Sequence, residues 1–394
     1  MKRTITDLVR LKGKRVLLRV DFNVPLDDAG KVMDDTRIVK EVPTIKYLSD
    51  KGAKVIILSH LGRPNGEYDV RKSLWPTALE LAKNLPKCNV SFCNKVIGKE
   101  VDDRIAAMKD GDILLLENVR FHKEEEECDM KFARKLARMG DIFVDDAFAV
   151  AHRQHASNFG VARILPNAIG FLMEKELTSL AQIFEAPKRP LVAIVGGAKV
   201  ESKVKILDKF VDKADVICIG GAMAYTFMKA QGIPVGMSLV FDDNLDEAKD
   251  ILLRAHAAGK RVLLPVDHVC IRKSAPSRVF VTSNLTGDMV GYDIGPKTIK
   301  MFTDEIKSAG EVFWNGTMGL YELDAYRQGT HEIALAMAST KAHTSVGGGD
   351  TVAMINLYRL GNKINYISTG GGAALQYLEG GSLPAVEVIQ EKIK

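Results

Sequence analysis

The chain has no long apolar run. Stretches such as Val55–Leu58 and Val262–Pro265 end within the length of one strand, far short of the ~20 residues a membrane-crossing helix needs. The opening Met1–Asp7 carries basic residues with no apolar stretch behind them, so no secretory segment is expected. Cysteine is scarce and odd in number, at Cys88, Cys93, Cys128, Cys218 and Cys270. The spacing is not that of a zinc site. Reduced thiols and a cytoplasmic location are the expectation. Charge of one sign is also lacking, because 55 Lys+Arg against 50 Asp+Glu leaves only +5. No clustered Lys/Arg with interleaved aromatics marks a nucleic-acid surface. Neither G-x-x-x-x-G-K-[ST] nor G-x-G-x-x-G occurs, which removes a P-loop and weakens a nicotinamide dehydrogenase.

What is present is length and a repeated grammar. The 394 residues exceed one ordinary core, so two domains are expected. Short apolar runs are followed by polar or glycine-rich turns and then by helical stretches. In the first half Arg15–Val20 precedes Asp21–Phe22–Asn23, and Lys54–Ser59 precedes His60–Leu61–Gly62–Arg63. Asp112–Leu116 precedes Glu117–Arg120, and Asp141–Val144 precedes Asp145–Ala147. In the second half Pro190–Val195 leads into Gly196–Lys199, Asp215–Ile219 into Gly220–Met223, and Glu311–Trp314 into Asn315–Gly319. His343–Val346 leads into Gly347–Thr351, and Asn365–Ser368 into Thr369–Gly372. Near-continuous apolar strands alternating with helices predict an α/β fold, with parallel sheets covered by helices. Ligands in such sheets bind beyond the carboxyl ends of the strands. The Phe171–Phe184 stretch has Leu172, Leu177, Leu180 and Ile183 at helical spacing, and Pro187 and Pro190 punctuate the segment after it. The domain change belongs there.

The distinctive residues all fall at strand ends. Arginine is uneven, thirteen in residues 1–185 and seven in 186–394. One arginine is usually solvated; Arg37, Arg63, Arg120 and Arg153 near strand ends of one half suggest a basic pocket for phosphate or carboxylate. Three glycine clusters in the second half offer backbone N–H groups and helix N-termini to an anion. If a helix begins near Ala198, Lys199 and Lys203 share one face. Asp350 offers a carboxylate for magnesium and Thr351 a hydroxyl, while an ordinary N-cap explains the pair equally well. Glu322 offers an acceptor for ribose hydroxyls; alone it reads as a surface glutamate. The acidic run Glu124–Glu127 reads as a solvated loop or helix start.

Ten motifs together resemble the phosphoglycerate kinase family over essentially the whole length. They are Arg19–Pro25, Ser59–Pro64, Leu116–Phe121, Asp146–Phe148, Ala151–Ser157, Gly196–Val200, Asp293–Thr298, Trp314–Gly316, Gly347–Thr351 and Ser368–Ala373. The resemblance implies two Rossmann-like lobes joined by a hinge helix, with a cleft between them that closes in turnover. Residues 1–170 would form the 3-phosphoglycerate domain, 171–189 the interdomain helix and linker, 190–380 the nucleotide domain, and 381–394 a tail packing back on the first. The activity implied is reversible magnesium-dependent transfer from 1,3-bisphosphoglycerate to ADP, in glycolysis and gluconeogenesis, by a monomer without nucleic-acid or membrane partners. Substrate contacts would come from Asp21, Phe22, Asn23, Arg37, His60, Leu61, Gly62, Arg63, Arg120 and Arg153. Nucleotide contacts would come from Lys203, Gly220, Gly221, Glu322, Gly348, Gly349, Asp350 and Thr351, with magnesium on Asp350. Arg37, Lys199, Lys203, Gly349 and Gly372 would carry the transfer. The chain departs from the family's usual pattern at Thr317, Asp145 and Ala149, which bears on loop geometry.

Other phosphotransferases or ligases with anionic acceptors share the strand-end pattern, and substrate identity separates them. A catalytically silent nucleotide-binding protein would be expected to lack Arg37, Lys203 or Asp350, and all three are present.

Overall fold

The computed structural model describes residues 2–198 and 200–392. The chain divides into two compact units, Met1–Thr178 with Ser382–Lys394, and Ser179–Gly381.

In the first unit, six strands form a parallel sheet in the order β3-β4-β2-β1-β5-β6. They are β1 (Arg15–Arg19), β2 (Lys54–Leu58), β3 (Val90–Cys93), β4 (Ile113–Leu116), β5 (Ile142–Asp145) and β6 (Asn167–Ile169). The central strands read RVLLR, KVIIL and ILLL because helices cover both faces and leave polar residues only at the strand ends. Val16, Leu18, Val55, Ile57, Ile113 and Val144 join Ile38, Ile45 and Leu48 of the Thr36–Asp50 helix in one core.

The second unit repeats the plan in the order β15-β14-β13-β7-β8-β9. The strands are β7 (Leu191–Val195), β8 (Val216–Ile219), β9 (Arg261–Leu263), β13 (Glu311–Asn315), β14 (His343–Gly347) and β15 (Tyr366–Ile367). Beside them is a three-stranded antiparallel sheet of β10 (His268–Arg272), β11 (Ala275–Thr282) and β12 (Met289–Ile294), which strand grammar did not anticipate. β11 is largely exposed, so it carries no continuous apolar run to betray it.

The Phe171–Glu185 helix starts on buried polar support. Phe171 N–H donates to Thr44 Oγ1 at 3.0 Å and Met173 N–H to Asp146 Oδ1 at 2.8 Å. Two of the four unpaired N–H groups of a helix start are thereby satisfied. At the other end of the chain, Arg3 N–H donates to Gln390 O at 2.8 Å, and Ala385 N–H to Ala151 O at 3.1 Å.

Candidate active site

In the first unit, register decides which residues meet. Arg19 on β1 lies opposite Leu58 of β2 and Asp145 of β5, so Asp21–Asn23, His60–Arg63 and Asp146–Phe148 leave the sheet at one edge. Arg19 is fully buried. Its Nε donates to Ser157 Oγ at 2.8 Å, Nη1 donates to Val20 O, and Nη2 lies 3.1 Å from His60 Nδ1. A guanidinium only donates, so His60 Nδ1 accepts and the ring proton sits on Nε2. Burial, then the charges of Arg19 and Arg120, push the His60 pKa well below its usual value. His60 is therefore a neutral N–H donor.

Arg37, from the first turn of its helix, pairs with Asp21. Asp21 Oδ1 accepts from Asn23 N–H at 3.1 Å, and Asn23 Oδ1 accepts from Gly62 N–H at 2.9 Å. Arg120 is buried; its Nη1 donates to Gly62 O at 2.8 Å and its Nε lies 3.3 Å from Glu126. Burial pushes Arg120 down to about 10, still a cation at neutral pH, and its charge feels Arg19 and Arg153. The structure thus joins Arg37, His60, Arg120 and Arg153 around a loop pinned by Asn23. Arg63 is exposed and is not drawn into this buried network. Phe22 and Leu61 have core side chains, and Phe22 N–H donates to Ser59 Oγ at 2.9 Å; both support the loops rather than present a polar side chain.

Several participants were not anticipated. Glu125, in the run expected to be solvated, is fully buried and accepts from Ser157 N–H at 2.8 Å and Oγ at 2.6 Å. Burial raises its pKa, against the pull of Arg19. Ser157 links Glu125 to Arg19, and His155 Nδ1 lies 3.7 Å from Glu125; nothing local in sequence links residues 19, 125 and 157. Asp145 also finds its place: it is fully buried, Oδ1 accepts from Ala147 N–H at 3.1 Å, and burial raises its pKa to about 7. At neutral pH its charge is about half suppressed.

In the second unit, Asn315 ends β13 and lies opposite both Val195 and Gly347. The glycine turns after β7 and β14 therefore flank it. Gly316 (φ 98°) crosses Gly196 so closely that a Cβ would lie 2.0 Å from the Gly196 carbonyl oxygen. Gly348 (φ 89°) caps the Gly349–Leu357 helix, and a Cβ there would lie 3.1 Å from Asn315 Nδ2. Asn315 is fully buried, and neither of its side-chain polar atoms has a hydrogen-bond partner among the described residues. An unpaired buried amide beside a helix N-terminus is costly unless a ligand uses it.

Beyond the ends of β7, β8 and β13, beside the point where strand order reverses, lies a pocket of ≈ 230 Å³. One wall is backbone, from Gly197, Gly221 and Gly291. Another is apolar, from Tyr225, Leu239, Val290 and Leu320. Glu322 and Asp350 stand among its lining residues. Lys203, in the first turn of the Glu201–Lys213 helix, is lowered to about 8 by burial, with Asp350 and Glu379 raising it. That helix starts at Glu201, later than expected, because Val200 is its cap; Lys199 lies outside the described residues. Thr351 is fully buried and its Oγ1 accepts from Gly316 N–H at 2.7 Å. Its hydroxyl oxygen ties two loops together. Gly220 sits behind the pocket against Met318, while Gly349 opens on free space. Gly371 (φ 50°) caps the Gly372–Leu378 helix. The apolar wall was missed because it gathers single residues from four separate segments.

Among the described residues no three His, Cys, Asp or Glu side chains gather as a metal site. Asp350, a pocket carboxylate near Lys203, is of the type that could hold a hard cation arriving on phosphate oxygens, since such a cation takes only one or two protein ligands.

Fold and site define a class: a two-unit α/β protein with an arginine cluster at the sheet edge of one unit and a glycine-lined pocket at that of the other. The family model described as phosphoglycerate kinase matches residues 5–381. A phosphoglycerate kinase of Anaeromyxobacter dehalogenans is 49% identical over 395 residues, covering 99% of each chain. One from Dictyoglomus turgidum is 48% identical over 99% of this chain and 100% of its own. The solved structure of phosphoglycerate kinase from Coxiella burnetii superposes with TM-score 0.88 at 38% identity, over 98% of both chains. That from Pyrococcus horikoshii OT3 gives 0.81 at 32%, again over 98% of both. The chain belongs to the phosphoglycerate kinase family.

Proposed function

We propose that this chain moves a phosphoryl group reversibly between 1,3-bisphosphoglycerate and ADP, giving 3-phosphoglycerate and ATP, as a glycolytic and gluconeogenic enzyme. The family supports the reaction. The observation that carries the residue assignment is the pocket of the second unit, where an apolar slot, an acidic rim and glycine backbone converge beside Lys203.

The adenine lies in the slot of Tyr225, Leu239, Val290 and Leu320, and Glu322 accepts from the ribose hydroxyls. Backbone N–H groups at Gly348 and Gly349, together with Gly372, cradle the phosphates, and Asn315 offers its amide. Magnesium, which neutralises phosphate charge when bound with the nucleotide, would be held by Asp350. In the first unit His60, Arg120, Arg153 and the exposed Arg63 hold the far phosphate of the substrate, while Asp21 and Asn23 order its seat. Arg37 faces the carboxyl end, and Lys203 neutralises the transferring group, with Lys199 as a second cation.

No general base is required. In the direction of ATP use the nucleophile is a carboxylate, ionised at neutral pH. Catalysis is then positioning and charge neutralisation. The chain acts as a monomer, and closure about residues 171–190 during turnover excludes water from the acyl phosphate; scattering with both ligands should report a more compact particle, and an unchanged one would refute closure. The reaction itself is tested by ADP release from ATP with 3-phosphoglycerate against a panel of other phosphorylated and simple carboxylates. Selective turnover with 3-phosphoglycerate is expected; preference for another acceptor would replace the substrate assignment.

A further inference from the structure

Tyr321 lines the nucleotide pocket, and its hydroxyl donates to Asp350 Oδ1 at 3.1 Å. The two residues belong to separate elements, Tyr321 to the turn beyond β13 and Asp350 to the first turn of the Gly349–Leu357 helix. The turn itself is held firmly. Leu320 N–H donates to Tyr292 O at 2.8 Å, and Tyr321 N–H to Gly319 O at 2.9 Å. Arg327 Nε donates to Tyr321 O at 3.1 Å, and the Arg327 guanidinium pairs with Asp324 at 2.7 Å. The same turn places Leu320 and Glu322 in the pocket wall.

A phenol gives one proton, and a carboxylate has about four lone-pair sites. The Tyr321 bond therefore fixes how Asp350 is turned while leaving Oδ2 and part of Oδ1 for another partner. Groups that orient a cation's ligand in this way tune the affinity without touching the cation.

We propose that Tyr321 is a positioning residue for the metal–nucleotide complex: its hydroxyl presets the Asp350 carboxylate, so that one turn sets both the nucleoside seat and the cation ligand. The proposal rests on Asp350 being the carboxylate that holds the cation. A ring that only packs would be replaced by phenylalanine without consequence; a hydroxyl that acts through Asp350 would not.

The test is calorimetric titration of the full chain with ADP, once with magnesium in excess and once in chelator, for wild type, Tyr321→Phe, Asp350→Asn and the double variant. Tyr321→Phe should weaken magnesium–ADP binding about 3- to 10-fold, the factor given by loss of one ordinary hydrogen bond. It should leave metal-free ADP unchanged and add nothing to Asp350→Asn. In kinetics the nucleotide KM should rise while the 3-phosphoglycerate KM stays. Unchanged magnesium–ADP affinity in Tyr321→Phe, or equal weakening with and without metal, overturns the proposal. If Asp350→Asn keeps the full gain from magnesium, it is the assignment of Asp350 that fails.

Discussion

Lys203 makes the mechanism measurable through pH. Burial lowers its pKa to about 8, against the raising effect of Asp350 and Glu379. The ammonium is present below that value and lost above it. The free protein then carries the cation on about nine-tenths of molecules at pH 7 and about one-tenth at pH 9. If Lys203 must be charged to receive the phosphates, kcat/KM for magnesium nucleotide falls about tenfold over that span, since this parameter reports the free enzyme. Bound phosphate stabilises the ammonium, so kcat at saturating nucleotide should stay nearly level across the same range. Lys203→Arg keeps its charge to far higher pH and should abolish the alkaline limb, whatever its absolute rate. Lys203→Ala removes the charge and should cost about 2.7–4 kcal/mol of barrier, two to three orders of magnitude in turnover. A coupled assay from pH 6.5 to 9.5, with the thermal transition followed in parallel, separates these. A flat kcat/KM for wild type to pH 9.5, or an unaltered limb in Lys203→Arg, would refute the assignment.

The buried acids of the first unit make a stability prediction of definite sign. Asp145 is raised to about 7 and Asp146 to about 6 by burial, while Glu41, beside Asp146, is raised well above its usual value. Protonation favours the fold, so this contribution is complete below about pH 4 and is lost as pH climbs through 6 to 7. Asp145→Asn should flatten that slope and raise the melting temperature at pH 8, by about 2–4 °C for each kcal/mol recovered; a lower melting temperature at pH 8 would contradict it. Gly316→Ala meets both φ 98° and the Gly196 carbonyl oxygen at 2.0 Å. It should destabilise by about 1–3 kcal/mol or more and raise the nucleotide KM, measurable by denaturant titration and steady-state kinetics. Wild-type stability there would mean that the two turns do not cross as described.

The strands that build the two large sheets were legible because both of their faces are buried. Apolar runs such as LVAIV in β7 and VICI in β8 have no polar position to confuse the period. β6 is three residues long, and β11 and the end of β10 lie in solvent, so no continuous run announced them. The helix start at Glu201 was not legible because Ala198 and Val200 give no stop signal, while Gly197 (φ 101°) sets a turn first. Charges just beyond strand ends, such as Arg120 and Asp350, could be picked out by position alone. Arg19, Glu125 and Ser157 could not, since their bonds span more than thirty residues of chain. Asp145 reads as an added charge in the sequence, and only its burial, which raises its pKa to about 7, shows how that charge is muted at the sheet edge.

The central claim is that charge and position, without a base, carry the transfer between two strand-end sites. It is tested most directly by ATP formation from 1,3-bisphosphoglycerate and ADP in wild type and Arg37→Ala. The account predicts robust formation in wild type, and a fall of about two to three orders of magnitude in the variant with the fold and nucleotide affinity retained. Near-normal turnover in Arg37→Ala, or no ATP from the wild-type protein, would contradict it.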